Sequence, residues 1–209
     1  MRSKFLLAAI ATALCSFGLA AAPALAQSAT PSMSTWDRDV FFFAGSFERE
    51  WFPDGLFPLE VLWTPNFFED NHIIGGGYQQ FFAEAYGFKF GLEGGLAGRF
   101  GSSNSSFEAW GGGVIRAPSI DIGRLRITPA ITGGLSAVTG TIGVETERAQ
   151  SVNRTVPLLF YMGPEIDFSD AEQPNWEVFW RLQHRSGGYG IIAPVDGSNA
   201  DTIGLRYKF

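Results

Sequence analysis

Residues 88–99 alternate with period two, and the alternation sorts charge completely. Phe88, Phe90, Leu92, Gly94, Leu96 and Gly98 are apolar or tiny, while Lys89, Glu93 and Arg99 all fall on the opposite set. Period two is the signature of a strand whose two faces meet different solvents. The pattern recurs over 125–138, where Leu125, Ile127, Pro129, Ile131 and Leu135 oppose Arg126, Thr128, Thr132 and Ser136. It recurs again over 158–168, where Leu158, Phe160, Met162, Ile166 and Phe168 oppose Tyr161, Glu165 and Asp167. Segments 39–45, 73–83 and 107–117 are further strand candidates with faces blurred by Gly and adjacent aromatics, and 176–186 and 199–209 complete a set of about eight.

Strands of roughly ten residues suit a tilted crossing of a bilayer, where closure into a barrel satisfies every backbone donor and acceptor. The spacers alternate between short (85–87, 118–123, 170–175) and mostly longer (46–71, 101–106, 140–155, 187–198), as periplasmic turns alternate with extracellular loops. Composition agrees. The chain holds 26 Gly and 20 Phe; each Gly costs about 1 kcal/mol in a helix, whereas Gly and aromatics recur where sheets bend and meet membrane interfaces. The expected architecture is an all-β, eight-stranded antiparallel transmembrane barrel of the outer membrane. Its charges, among them Lys89, Glu93, Arg99, Glu108, Arg116, Arg126, Glu165, Asp167, Glu177, Arg181, Arg206 and Lys208, would point inward and pair. Eight strands leave an interior that side chains fill, so a diffusion pore is not expected.

Residues 1–26 read as a signal peptide: Arg2 and Lys4, an apolar run over 5–22, and Ala24-Leu25-Ala26 before Gln27. Residues 27–209 are then one barrel domain. Removing Arg2 and Lys4 takes the formal charge from −6 to −8, and the only cysteine, Cys15, goes too. That excludes a disulfide framework, a cysteine metal site and a cysteine nucleophile. An acidic chain without a basic run also argues against nucleic acid as a partner. The expected address is the outer membrane of a Gram-negative bacterium, which the terminal strand ending at Phe209 supports.

No phosphate-binding, zincin or nucleophile-elbow signature occurs. Chemistry therefore falls to the two histidines. His72, beside Asp70 and Asn71, reads as a solvated loop-edge imidazole. His184 differs: alternation places Trp176, Val178, Trp180, Leu182, His184 and Ser186 on the outward face, at the extracellular end of the seventh strand. Residues two apart on one strand face are about 7 Å apart at Cα, within reach for a hydroxyl nucleophile and an imidazole base, and the base in turn needs an orienting partner. A register pairing Ser186 with Asn199 and His184 with Asp201 would place both polar residues of the last strand beside them. A carboxylate turned toward lipid is costly unless it is paired or functional.

At these residues the chain resembles the PagL-type lipid A 3-O-deacylases, eight-stranded outer-membrane barrels with a Ser-His-Glu site on the lipid-facing surface. The resemblance lies in the last 35 or so residues: His184-Arg185-Ser186-Gly187-Gly188-Tyr189-Gly190, then Asp196-Gly197-Ser198-Asn199 and the strand to Phe209. It implies hydrolysis of the ester-linked 3-position acyl chain of lipid A in the outer leaflet, with Ser186 as nucleophile, His184 as base, and no metal or cofactor. Two positions depart from the family. Asn199 stands where the acidic member is usual, so Asn199 would orient the imidazole and Asp201 is the candidate for the missing carboxylate. Gly187 stands where an Asn follows the nucleophile, leaving backbone N–H groups of Gly187, Gly188 or Gly190 for the oxyanion. Arg185, Arg206 and Lys208 would reach lipid phosphates only if the rim twisted. The competing reading is a non-catalytic structural or adhesion-type barrel, and a third is an esterase acting on phospholipid. The aromatic, Pro-interrupted 46–71 segment either extends the first two strands or lies as an interfacial flap.

Overall fold

A computed structural model describes residues 38–49 and 67–209. Residues 1–26, read above as a signal peptide, and 50–66, the body of the aromatic segment, lie outside the described residues. The elements are β1 (Arg38–Glu48), β2 (Phe68–Ala85), β3 (Phe88–Gly101), β4 (Ser106–Arg116), β5 (Ile120–Ile122), β6 (Leu125–Val138), α1 (Gly143–Ser151), β7 (Leu158–Asp170), β8 (Gln173–Ser186) and β9 (Asp196–Lys208). Neighbours follow the order β4-β3-β2-β1-β9-β8-β7-β6-β5, every pairing is antiparallel, and β4 also pairs with β6. Eight long strands thus close into a barrel, and the three-residue β5 clips onto the base of β6.

The alternation holds around the ring. Phe42, Leu96 and Phe107 face outward at 71%, 69% and 73% exposure, whereas Arg181 and Arg206 are fully buried. Soluble monomers rarely expose contiguous apolar patches beyond a few hundred Å². A continuous outer surface of Phe, Leu, Ile and Tyr is therefore matched to hydrocarbon, and the chain is an outer-membrane barrel.

The interior is layered. Toward the short-turn end, Arg206 pairs with Asp39 at 3.1 Å, Glu165 at 2.8 Å and Asp167, while Arg116 bridges Asp167 at 2.6 Å and Glu177 at 2.5 Å. At mid-height Arg181 forks onto both Glu93 oxygens at 2.8 Å and reaches Glu165 at 2.7 Å. Phe41, Phe43, Trp110, Tyr161 and Phe179 pack in that layer, with the Arg181 guanidinium 4.6 Å from the Phe41 ring centroid. Two inward glycines make room: any Cβ at Gly95 would strike the Trp110 indole, and one at Gly204 the Phe179 ring. Toward the loop end Arg99 and Arg185 converge on Glu145 of α1. Burying so many charges is tolerated because each is paired with opposite charge in hydrogen-bonded networks.

Helix α1 falls within 140–155, read above as one of the longer loops. It is held by its ends and by one carboxylate. Glu69 of β2 accepts the Val144 N–H at 2.9 Å, and Glu145 enters the barrel to meet Arg99 at 2.6 Å. The strands are also longer than alternation suggested: β1 runs past Gly45 to Glu48, and β2 starts at Phe68.

Candidate functional site

Strand β8 enters the loop end with Arg185 turned inward to Glu145, which leaves His184 and Ser186 outward on either side of it. The loop that follows is tightly built. The Gly187 N–H donates to Val195 O at 2.9 Å, and Gly187 O accepts from Ile192 at 3.0 Å. Gly188, Tyr189 and Gly190 all take positive φ, a left-handed run in which Gly is favoured. Leu159, Ala193, Val195 and Val156 form a small apolar cluster that pins the loop to the barrel rim.

The β8–β9 register differs from expectation by two residues. His184 stands opposite Asn199, and Leu182 opposite Asp201; Ser186 pairs with Asp196. The register slips between His184 and Ser186, where β9 carries the extra residue at Gly197 and Ser198. A Cβ at Gly197 would collide with the Arg185 carbonyl, so this bulge needs its glycine. Because the difference is an even number of residues, Asn199 and Asp201 keep their outward direction; a one-residue slip would have turned them inward.

The new register brings His184 and Asn199 together. His184 Nδ1 lies 2.6 Å from Asn199 Oδ1, and Asn199 Nδ2 donates to Glu48 Oε2 at 3.0 Å. An amide oxygen only accepts, so Nδ1 carries the hydrogen and the neutral ring presents Nε2 as its acceptor. His184, Asn199 and Glu48 are 6%, 4% and 1% exposed. They lie on the outward side of their strands and yet are buried. Ser186 is half-buried, and its hydroxyl makes no hydrogen bond among the described residues.

Asp201 occupies a different place. It stands opposite Ser46 of β1 as well as Leu182, accepts from Trp180 Nε1 at 3.1 Å, and its carboxyl contacts that of Glu48. The geometry thus joins His184 to Asn199 and leaves Asp201 on the Trp180 side. Of the three loop glycines, Gly187 has its N–H committed to Val195, so it is corrected from the oxyanion set, whereas Gly188 and Gly190 N–H groups make no backbone bond of this kind. Arg185 and Arg206 are fully engaged inside the barrel and Lys208 pairs with Glu177 at 2.6 Å, so none of them faces lipid phosphate.

Glu48 was missed by sequence reasoning. Its signal was present: Phe41, Phe43 and Phe47 share the inward parity and Ser46 and Glu48 the outward one, but the strand was ended at Gly45. His72 is not a loop residue but sits within β2, outward and exposed, with Nδ1 3.0 Å from Ser46 Oγ. Among the described residues no group of three His, Cys, Asp or Glu side chains is placed to hold a metal ion.

Fold and surface define an eight-stranded outer-membrane β-barrel. No family model matches the chain, and no curated protein matches it in sequence. Solved structures do match in fold. The outer membrane enzyme PagL superposes with a TM-score of 0.54 at 12% identity, covering 82% of this chain and 99% of that one. Neisserial surface protein A gives 0.48 at 10% identity, over 83% and 97% of the two chains. Ail, the attachment invasion locus protein of Yersinia pestis, gives 0.38 at 12%, over 84% and 100%. At these identities the likeness to PagL speaks for the barrel fold and for nothing finer.

Proposed function

We propose that the chain is an outer-membrane ester hydrolase that removes the 3-linked acyl chain of lipid A, with Ser186 as nucleophile and His184 as general base. The observation that carries this reading is the buried Nδ1···Asn199 contact on the outward side of β8. It directs Nε2, the nitrogen a base must use, away from Asn199 on the face that also bears Ser186. A buried imidazole hydrogen-bonded through Nδ1, two residues from a serine on the same strand face, supports this reading over a purely structural barrel.

In the reaction Ser186 Oγ attacks the acyl carbonyl while its proton passes to His184 Nε2. The bond between the acyl carbon and the sugar's ester oxygen then breaks, and the imidazolium protonates that oxygen, so that the sugar leaves with a free hydroxyl. Water attacks the acyl-serine with His184 again as base, releasing a fatty acid and restoring Ser186. Asn199 orients the ring throughout, as asparagine does in papain-like sites. The N–H groups of Gly188 and Gly190 are the remaining backbone donors for the oxyanion.

The test is hydrolysis by the purified barrel in detergent, comparing hexa-acylated lipid A with diacyl phospholipid. Release of a 3-hydroxy fatty acid from lipid A alone supports the reading. Release from phospholipid alone moves the substrate to glycerophospholipid, and no release from either favours a non-catalytic barrel.

A further inference from the structure

Base catalysis by His184 needs one tautomer of the ring, and the group that selects it comes from a third strand. We propose that Glu48 is a positioning residue: its carboxyl group, accepting through Oε2, holds the Asn199 amide in the one orientation that keeps His184 protonated on Nδ1. The functional consequence rests on the esterase reading above, but the geometry does not.

The two ends of an amide are nearly the same in size and opposite in hydrogen bonding. Turned over, Asn199 would present Nδ2 to the imidazole, Nδ1 would have to accept, and the hydrogen would move to Nε2, where it disables the base. Asn199 alone therefore does not decide the tautomer. Glu48 does, because its Oε2, 3.0 Å from Nδ2, accepts from the amide, while the proton its carboxyl shares with Asp201 is engaged on the Asp201 side. Flipping the amide would set Oδ1 against the accepting Glu48 Oε2 in a place that water does not reach, with Glu48 1% and Asn199 4% exposed. An unsatisfied pair of acceptors in such a place is strongly disfavoured.

The backbone explains how Glu48 comes to be there. Phe47 turns inward beneath the Arg99 guanidinium, 4.9 Å from its ring centroid, so Glu48 must turn outward. The β1–β2 register shifts between Ser46 and Glu48, and beyond it the Arg49 N–H donates to Phe67 O at 2.8 Å, which fixes the strand end. Asp201 does not take this role itself, because Oδ1 is taken by Trp180 and its carboxyl meets that of Glu48 and not the Asn199 amide, its cross-strand neighbours being Ser46 and Leu182. The acid that other serine hydrolases place directly on the histidine is here one residue removed, with a neutral amide between.

The test is spectroscopic and needs no substrate. The chain has two histidines, so a single His72→Gln variant assigns the imidazole signals of a ¹⁵N-histidine-labelled barrel in micelles. Above the imidazole titration, wild type is expected to show His184 only as the Nδ1–H tautomer. Glu48→Leu and, as a deeper truncation, Glu48→Ala should give a mixture of both tautomers, with kcat lowered about ten- to hundredfold and KM little changed. Asn199→Asp combined with Glu48→Gln moves the carboxylate onto β9 and should restore the single tautomer. A Glu48→Leu or Glu48→Ala barrel that inserts normally and keeps His184 wholly in the Nδ1–H form overturns the proposal. If the tautomer responds as expected but wild type hydrolyses no ester, the positioning role stands and the esterase reading falls. Hydrolysis with an unresponsive tautomer has the opposite meaning.

Discussion

Two serine–histidine pairs face outward at the loop end of the barrel, and they differ in an instructive way. Ser46 and His72 touch, with Oγ 3.0 Å from Nδ1, yet His72 is exposed. A hydroxyl both donates and accepts, so that contact leaves the imidazole tautomer undefined. Ser186 and His184 are not hydrogen-bonded to each other, but His184 is buried and its Nδ1 is tied to the oxygen of an amide whose nitrogen is in turn tied to Glu48. Contact between a nucleophile and a base is thus the less informative property. The chain of fixed donors and acceptors behind the base is what separates a site from a neighbouring pair of polar side chains, because a catalytic hydrogen bond can form when substrate arrives whereas the tautomer must be set beforehand.

The comparison breaks most directly at the proposed nucleophile and base. Ser186→Ala and His184→Ala are each expected to reduce lipid A deacylation by at least about a thousandfold, read as kcat/KM on the purified barrel. A variant of the interior shows that such a loss is local: Arg206→Ala strands Asp39 in the lumen, leaves Glu165 and Asp167 with only Arg181 and Arg116, and should cost about 3–5 kcal/mol in urea unfolding. Whatever fraction remains folded should keep its per-molecule activity. Asn199→Ala removes only the orienting amide and should cost about a hundredfold in kcat with KM near wild type.

Smaller effects sharpen the contrast between the two carboxylates and the two histidines. Asp201→Asn keeps an acceptor for Trp180 Nε1, a polar neighbour for the Glu48 carboxyl and the His184–Asn199 bond, so a loss within about threefold is expected, on the scale of a single displaced polar contact. A loss as large as that of Asn199→Ala would return Asp201 to the site. His72→Ala and Ser46→Ala should leave kcat/KM within about twofold, in the range typical of substitutions at an exposed surface. A large loss in either would mean that the touching pair is the working one.

How much of this was legible in the sequence follows from the range of each signal. The inside-out barrel was legible because period two belongs to each strand by itself: the face carrying Glu93 and Arg99 is separated from that carrying Leu92 and Leu96 without knowledge of any partner. His184 and Ser186 were legible for the same reason. The partner of His184 was not, because register depends on the bulge at Gly197 and Ser198, and a bulge is a relation between two strands. Even parity carried Asn199 and Asp201 to the correct face although their row was wrong. Glu48 was hidden by Gly45, which reads as a strand end but in the barrel is an inward glycine packed against the Asp201 carbonyl. Helix α1 was hidden because its place is set by Glu69 and Arg99, charges distant in sequence, and not by a face of its own.

The central claim, an ester hydrolase on the outward side of β8, is tested most directly by mass spectrometry of lipid A from a heterologous outer membrane carrying the inserted wild-type, Ser186→Ala and His184→Ala barrels. The account predicts lipid A lacking one 3-linked acyl chain with the wild type and intact lipid A with both variants. Intact lipid A with a correctly inserted wild-type barrel, or deacylation that survives in either variant, would contradict it.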